Sequence, residues 1–250
     1  MRTYYEPFIG SGAILGTLAP TRGIAGDALK PLIEIWQMLS TDKEQVVEWY
    51  TRHWNRAQEI GKKEAFEEAR ASYNRGPNGG DLLFISRACY GGVLRFRASD
   101  GAISTPCGAH DPISPDSFRA RATNWAQRVS GSQFVHSDFE ALIDEAGEGD
   151  VVYCDPPYSD SQSILYGAQR FSLPRLLTAI DRAKSRGATV ILSIDGSKRS
   201  GKHHISLDIP QGLFEREVFL DCGRSMLRRF QMKGETLEHE LVTDRLLITI

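Results

Sequence analysis

The chain has 250 residues, 41% apolar and 25% charged, with a net charge of −2. This reads as an ordinary soluble globular protein, long enough to bury roughly 70–75% of its unfolded surface without staples. Cys89, Cys107, Cys154 and Cys222 are scattered, with no Cys-x-x-Cys pair, which argues against a disulfide framework or zinc site and for a reducing compartment. No apolar run approaches the roughly 20 residues of a bilayer span, and the opening MRTYYEPF is no signal peptide.

In chain order, Thr3-Tyr4-Tyr5 is a short strand running into Glu6-Pro7-Phe8-Ile9-Gly10-Ser11-Gly12, with a helix from about Ala13. Residues 22–26 read as a second strand ending at Asp27. An amphipathic helix over 29–39 follows, with Leu32, Ile33, Ile35, Trp36 and Leu39 on its apolar face. Further helices are expected at 43–56 and 62–73, before the glycine-rich break 76–80. Asp100-Gly101 is a turn signal, so 93–97 and 102–105 pair as a hairpin. A helix at 117–129, a strand near Phe134, a helix at 139–145 and the apolar strand 151–154 come next. Ser172 (as N-cap), Pro174 and Gly187 bracket a helix. Residues 189–194 form a buried strand, with a turn at Asp195-Gly196, and 216–220 and 246–249 are late strands that pair antiparallel.

Strand and helix alternate at both ends of the chain, so the expected fold class is α/β. It is a mostly parallel sheet with helices on both faces and an antiparallel C-terminal strand. Residues 1–40 and 130–250 form the core, and 41–129 is an inserted helical and hairpin subdomain. Charge is uneven as well. Six arginines lie between 87 and 128 against three aspartates, whereas 138–160 holds eight acidic residues and no Lys or Arg. An anionic partner gripped by the basic segment and solvated surfaces of mixed sign are equally compatible with this.

Two motifs carry chemistry. The glycines of Gly10-Ser11-Gly12 let backbone approach a ligand, and Asp27, after the next strand, can accept from ribose hydroxyls. Leu15 stands where a dinucleotide fingerprint needs glycine, so a nucleoside without phosphates fits better. The second motif, Asp155-Pro156-Pro157-Tyr158, follows an apolar strand and sits where open α/β sheets bind ligands. Asp155 and the Pro156 carbonyl can accept from an amino group, and Tyr158 can stack on its ring. His53, His110, His203, His204 and His239 lack triad or metal spacing. Cys154 reads as a buried strand residue, and Trp36, Trp49 and Trp54 read as core.

Glu-Pro-Phe-x-Gly-Ser-Gly followed after a long insert by Asp-Pro-Pro-Tyr resembles the Dam-like, D12-class family of DNA adenine methylases, of the α arrangement. Residues 84–97, with Asp100-Gly101 and 105–108, resemble the family's target-recognition segment, and His136-Ser137-Asp138-Phe139 its cofactor-adenine motif. The resemblance implies a Rossmann-like fold and S-adenosylmethionine-dependent methylation of adenine N6 in double-stranded DNA, with no metal. It implies a bacterial or phage-infected cytoplasm. By it, Glu6, Pro7, Phe8, Gly10, Ser11 and Gly12 underlie the cofactor's methionine part, and Asp27 bonds its ribose. Asp138 and Phe139 hold the cofactor's adenine. Asp155, Pro156 and Tyr158 hold a flipped target adenine beside the cofactor, and Arg87, Tyr90, Arg95 and Arg97 face DNA.

The chain departs from the family in two places. Relatives carry a Lys- and Gly-containing segment ahead of the first strand, whereas Met1 lies four residues before Tyr5. Either another part of the chain, with Arg228, Arg229 and Lys233 as basic candidates, or a partner subunit is then expected to cover the cofactor, or its affinity is weak. Gly91-Gly92 and Arg97 stand where GATC-reading relatives usually show asparagines, so neither the relatives' phosphate contacts nor a GATC target is carried over. The rival readings are a DNA-binding subunit that needs a partner for turnover, and an RNA methyltransferase. An N4-cytosine enzyme would carry Ser in place of Asp155.

Overall fold

The computed structural model describes residues 1–157, 171–198, 203–204, 208–224 and 241–250. Tyr158, Arg228, Arg229, Lys233 and His239 lie outside them. The strands are β1 (Tyr4–Glu6), β2 (Gly23–Asp27), β3 (Ser132–His136), β4 (Val151–Cys154), β5 (Thr189–Lys198), β6 (His203–His204), β7 (Arg216–Arg224) and β8 (Leu241–Ile248). They form one sheet in the order β3-β2-β1-β4-β5-β8-β7, with β6 pairing β5. The first five strands run parallel. β8 lies antiparallel between β5 and β7, as the expectation of antiparallel late strands requires.

Pleat alternation divides the sheet's side chains between two cores. Tyr4 and Ala25 face one, with α1 (Ala13–Leu18) and α2 (Lys30–Thr41). Tyr5, Val152, Cys154 and Val190 face the other, with α7 (Phe139–Asp144) and α8 (Leu173–Ser185). Helices therefore cover both faces, as continuous burial of a parallel sheet demands. Between α2 and β3 the chain builds α3 (Lys43–Ile60), α4 (Lys62–Arg75), α5 (Gly79–Ala88) and α6 (Pro115–Arg128). Their buried residues, Tyr50, Phe66, Phe84 and Phe118 among them, join the core that holds Tyr4 and Phe134. Tyr50 stacks on Phe118 at 4.1 Å between centroids and donates to the Ile113 carbonyl at 2.7 Å.

The expected hairpin is present. Phe96 bridges Ile103, Arg97 N–H donates to the Ala102 carbonyl at 2.9 Å, and Ser104 N–H donates to the Arg95 carbonyl at 2.9 Å. Its base brings Cys89 opposite Cys107, both as free thiols.

Three local expectations are corrected. The glycine-rich break contains a helix start: Asn78 caps α5 by accepting from Asp81 N–H at 2.9 Å. Gly79 fits there because a Cβ would lie 3.1 Å from the Pro31 carbonyl of α2. Ser172 occupies the N-cap position of α8, but its side chain makes no capping hydrogen bond. Residues 195–196 are no turn, since β5 continues to Lys198 with a register shift between Asp195 and Ser197. Pairing with β8 keeps that segment extended, and a bulge at Gly196 absorbs the extra residue.

Candidate active site

Strand order reverses at β1, which lies between β2 and β4, and ligands of open α/β sheets bind outside the carboxyl ends of strands at such a point. The parallel register Tyr4↔Val151 and Tyr5↔Val152 carries Glu6 and Asp155 to the same edge. Two motifs almost 150 residues apart in sequence thus leave neighbouring strands side by side.

After β1 the backbone turns through Gly10 (φ +46°) and Gly12 (φ +67°), both left-handed. Gly12 is doubly constrained, because a Cβ would stand 2.7 Å from the Trp36 ring. Nothing lies within 4 Å of a Cβ placed on Gly10, so backbone is exposed to an approaching ligand there. Asp27, at the end of β2, binds this turn from the side. Its carboxylate accepts from Gly10 N–H at 3.2 Å and from Leu29 N–H at 2.9 Å. Trp36 holds the turn from beneath, its indole donating to the Gly10 carbonyl at 3.2 Å. Ser11 is exposed, and Pro7 and Gly12 are buried.

The carboxylates here are electrostatically unusual. Glu6 is 2% exposed and accepts from the Tyr4 hydroxyl at 2.8 Å. Burial pushes its carboxyl up to about 7; the nearby Asp155 adds to the rise, and hydrogen bonds from Tyr4 and Leu15 oppose it. Burial likewise raises Asp27, against the bonds from Leu29 and Gly10. Asp155 is exposed at the mouth, while Cys154 and Pro156 on either side are buried. Tyr153 is pushed up to about 12 by burial and by Asp155, and burial raises the Cys154 thiol. Cys154 is thus a buried thiol with little thiolate, as its place in an apolar strand suggested.

Asp138 caps α7, accepting from Glu140 N–H at 3.0 Å, and the same oxygen takes a hydrogen bond from Arg175 at 2.9 Å. Phe139 stacks on Phe8 at 5.2 Å, and Phe171 closes on Phe8 at 6.0 Å and on Phe139 at 5.9 Å. The fold therefore joins the Phe of the first motif to the Phe of His136-Ser137-Asp138-Phe139. Sequence reasoning missed Phe171 and Arg175; the only available signal was their place just ahead of and within the first turn of α8.

The arginines expected to face DNA gather around the end of α5 and the hairpin. Arg87 is exposed in the last turn of α5, its guanidinium 5.4 Å from the Phe118 ring centroid. Tyr90 follows in the next turn and is 41% exposed. Arg95 is half-buried, and its backbone N–H donates to the Thr105 hydroxyl at 2.7 Å. Arg97 is exposed and forks onto Asp100 with bonds of 3.0 and 2.5 Å.

A family model for D12 class N6 adenine-specific DNA methyltransferases matches residues 1–228. The chain belongs to the D12 class N6 adenine-specific DNA methyltransferases. It is 27% identical to a type II methyltransferase, M1.LlaDCHI, of Lactococcus lactis subsp. cremoris, over 78% of this chain and 72% of the relative. It is 26% identical to the DNA N-6-adenine-methyltransferase of Escherichia phage P1, over 77% of this chain and 26% of that longer protein. The DNA adenine methylase of Vibrio cholerae serotype O1 is 24% identical, over 77% and 72%.

In this methyltransferase His53 also proves to have a partner the sequence did not signal. It lies 3.0 Å from the buried Asp81 and stacks on Phe84 at 5.1 Å. The pair borders a cleft of about 880 Å³ between α3 and α4, lined also by Arg52, Ser72 and Arg75. The lining of this cleft includes none of the motif residues. No helix among the described residues is long and apolar enough to cross a membrane.

Proposed function

We propose that this enzyme transfers a methyl group from S-adenosylmethionine to the N6 amine of an adenine rotated out of double-stranded DNA. The observation that carries the reading is the pairing of β1 with β4, which sets the glycine turn and the Asp-Pro-Pro corner at one sheet edge. The residues present fit the cofactor. An open, left-handed glycine turn suits close backbone approach by a ligand without phosphates. The Asp27 and Asp155 carboxylates make that edge electronegative, as a sulfonium and an ammonium group require, and Glu6, raised to about 7 by burial, adds to it as it ionises. Asp27 would meet the ribose, Asp138 and Phe139 the adenine, and the segment from Glu6 to Gly12 the methionine part.

Bound there, the cofactor supplies an electrophilic methyl on a good leaving group. The protein's own contribution is positional. Adenine N6 is a poor nucleophile because its lone pair is delocalised into the ring. Hydrogen bonds from its N–H groups to Asp155 and to the Pro156 carbonyl favour the pyramidal amine, whose lone pair is available. Two consecutive prolines fix φ and remove two N–H donors, so that corner offers acceptors only. Tyr158 would stack on the extruded base. A base inside a duplex cannot reach the corner, so it must leave the stack. Arg87, Tyr90, Arg95 and Arg97 would grip the surrounding DNA, and 41–129 would act as the target-recognition subdomain.

Purified protein should therefore transfer labelled methyl to duplex DNA, with N6-methyladenine recovered after nuclease digestion. Asp155→Ala should reduce turnover at least a thousandfold with unchanged circular dichroism. Labelling of RNA in place of DNA would overturn the substrate, and turnover only with an added partner would show an incomplete enzyme.

A further inference from the structure

Arg175 stands in the first turn of α8, where the positive end of the helix dipole disfavours a cation. Contacts with three residues hold it there. Its guanidinium lies 5.1 Å from the centroid of the Phe139 ring. It donates to Asp138 at 2.9 Å and twice to Glu140, at 2.9 and 2.7 Å. Arg182, two turns later, already ties α8 to α7 through Glu140 at 2.9 Å and a forked pair with Asp144 at 2.9 and 2.8 Å. A second exposed ion pair between the same helices adds little to stability. What distinguishes Arg175 is its target: both residues that the proposed function assigns to the cofactor's adenine.

The Asp138 oxygen that Arg175 binds is also the one that caps α7. Two donors on one oxygen fix the rotation of the carboxylate and leave the other oxygen directed by that geometry. The Phe139 ring beside the guanidinium is already packed by Phe8 and Phe171. We propose that Arg175 is a positioning residue for cofactor recognition: it aims the second oxygen of Asp138 at the exocyclic amine of the adenine. This rests on the assignment of Asp138 and Phe139 to the cofactor's adenine.

The test is calorimetric titration with S-adenosylhomocysteine. Arg175→Ala should weaken binding about tenfold, and Arg175→Lys, which keeps the charge but loses the fork, should recover only part of it. For an analogue carrying hydrogen in place of the exocyclic amine, Arg175→Ala should change affinity less than twofold. In an Asp138→Ala background, Arg175→Ala should have no further effect. Arg182→Ala, which removes the neighbouring tie between the same helices, should leave affinity unchanged. In turnover the Arg175→Ala loss should fall on KM for the cofactor more than on kcat. Equal weakening by Arg182→Ala, or an undiminished Arg175→Ala effect without Asp138, would reduce Arg175 to a structural tie and overturn the proposal. If Asp138→Ala weakens binding and Arg175→Ala does not, the proposal alone fails. If Asp138→Ala binds as well as the parent, the adenine assignment fails with it.

Discussion

Glu6 is withdrawn from solvent by Tyr4 and the first turn of α1, yet it faces the edge where Asp155 emerges. Its carboxyl is raised from 4.5 to about 7, chiefly by burial. The folded state therefore holds this proton more tightly than the unfolded chain does. Stability from Glu6 is complete below about pH 4.5 and is lost as pH rises through about 7, a change of about 3 kcal/mol. Glu6→Gln cannot ionise, so between pH 5 and 7.5 its urea unfolding free energy should fall less steeply than the parent's by about that amount. Identical slopes would show that Glu6 ionises normally. The sequence disclosed that Glu6 heads the glycine motif. It could not disclose the proton, because that depends chiefly on burial in the folded chain, with an aspartate 149 positions away adding to the rise.

At the scale of elements, the helix and strand signals were legible wherever local pattern determines structure. The apolar stripe of α2, the Pro174 and Gly187 limits of α8 and the Asp100-Gly101 turn are all local. What was illegible depends on partners distant in sequence. β5 runs past Ile194 because β8 pairs with it, and Arg175 meets Asp138 across 37 residues. The hairpin shows both kinds. Its turn was readable, but the fork of Arg97 on Asp100 means that a phosphate must compete with a carboxylate already in place. Arg95→Ala and Arg97→Ala should each weaken duplex binding and reduce the slope of log K against log salt by about one. Asp100→Asn, which releases Arg97, should tighten binding at low salt. Isotherms that keep the parent's slope in both arginine variants would take the hairpin off the DNA.

At the scale of the whole molecule, Trp36 joins parts that the sequence pattern separates. It stacks on Phe134 of β3 at 5.5 Å, packs at 5.6 Å against Trp125 of α6, and donates to the Gly10 carbonyl of the glycine turn. Parallel sheet, inserted helices and candidate cofactor turn therefore meet on one indole. The helices of 41–129 also bury their apolar faces in the core that contains Tyr4 and Ala25. They reach the sheet through α2, which contacts α3, α5 and α6 as well as β2 and β3, so the insert and the sheet should melt together. Urea unfolding followed by circular dichroism and by tryptophan fluorescence should superimpose. Trp36→Ala should destabilise the protein by about 3–5 kcal/mol while preserving that coincidence. Trp36→Phe retains an aromatic ring but loses the bond to Gly10, so it should loosen the turn and weaken S-adenosylhomocysteine binding more than it lowers stability. Two separated transitions in the parent protein would show instead that the insert folds on a core of its own, with Trp36 merely lying at the seam.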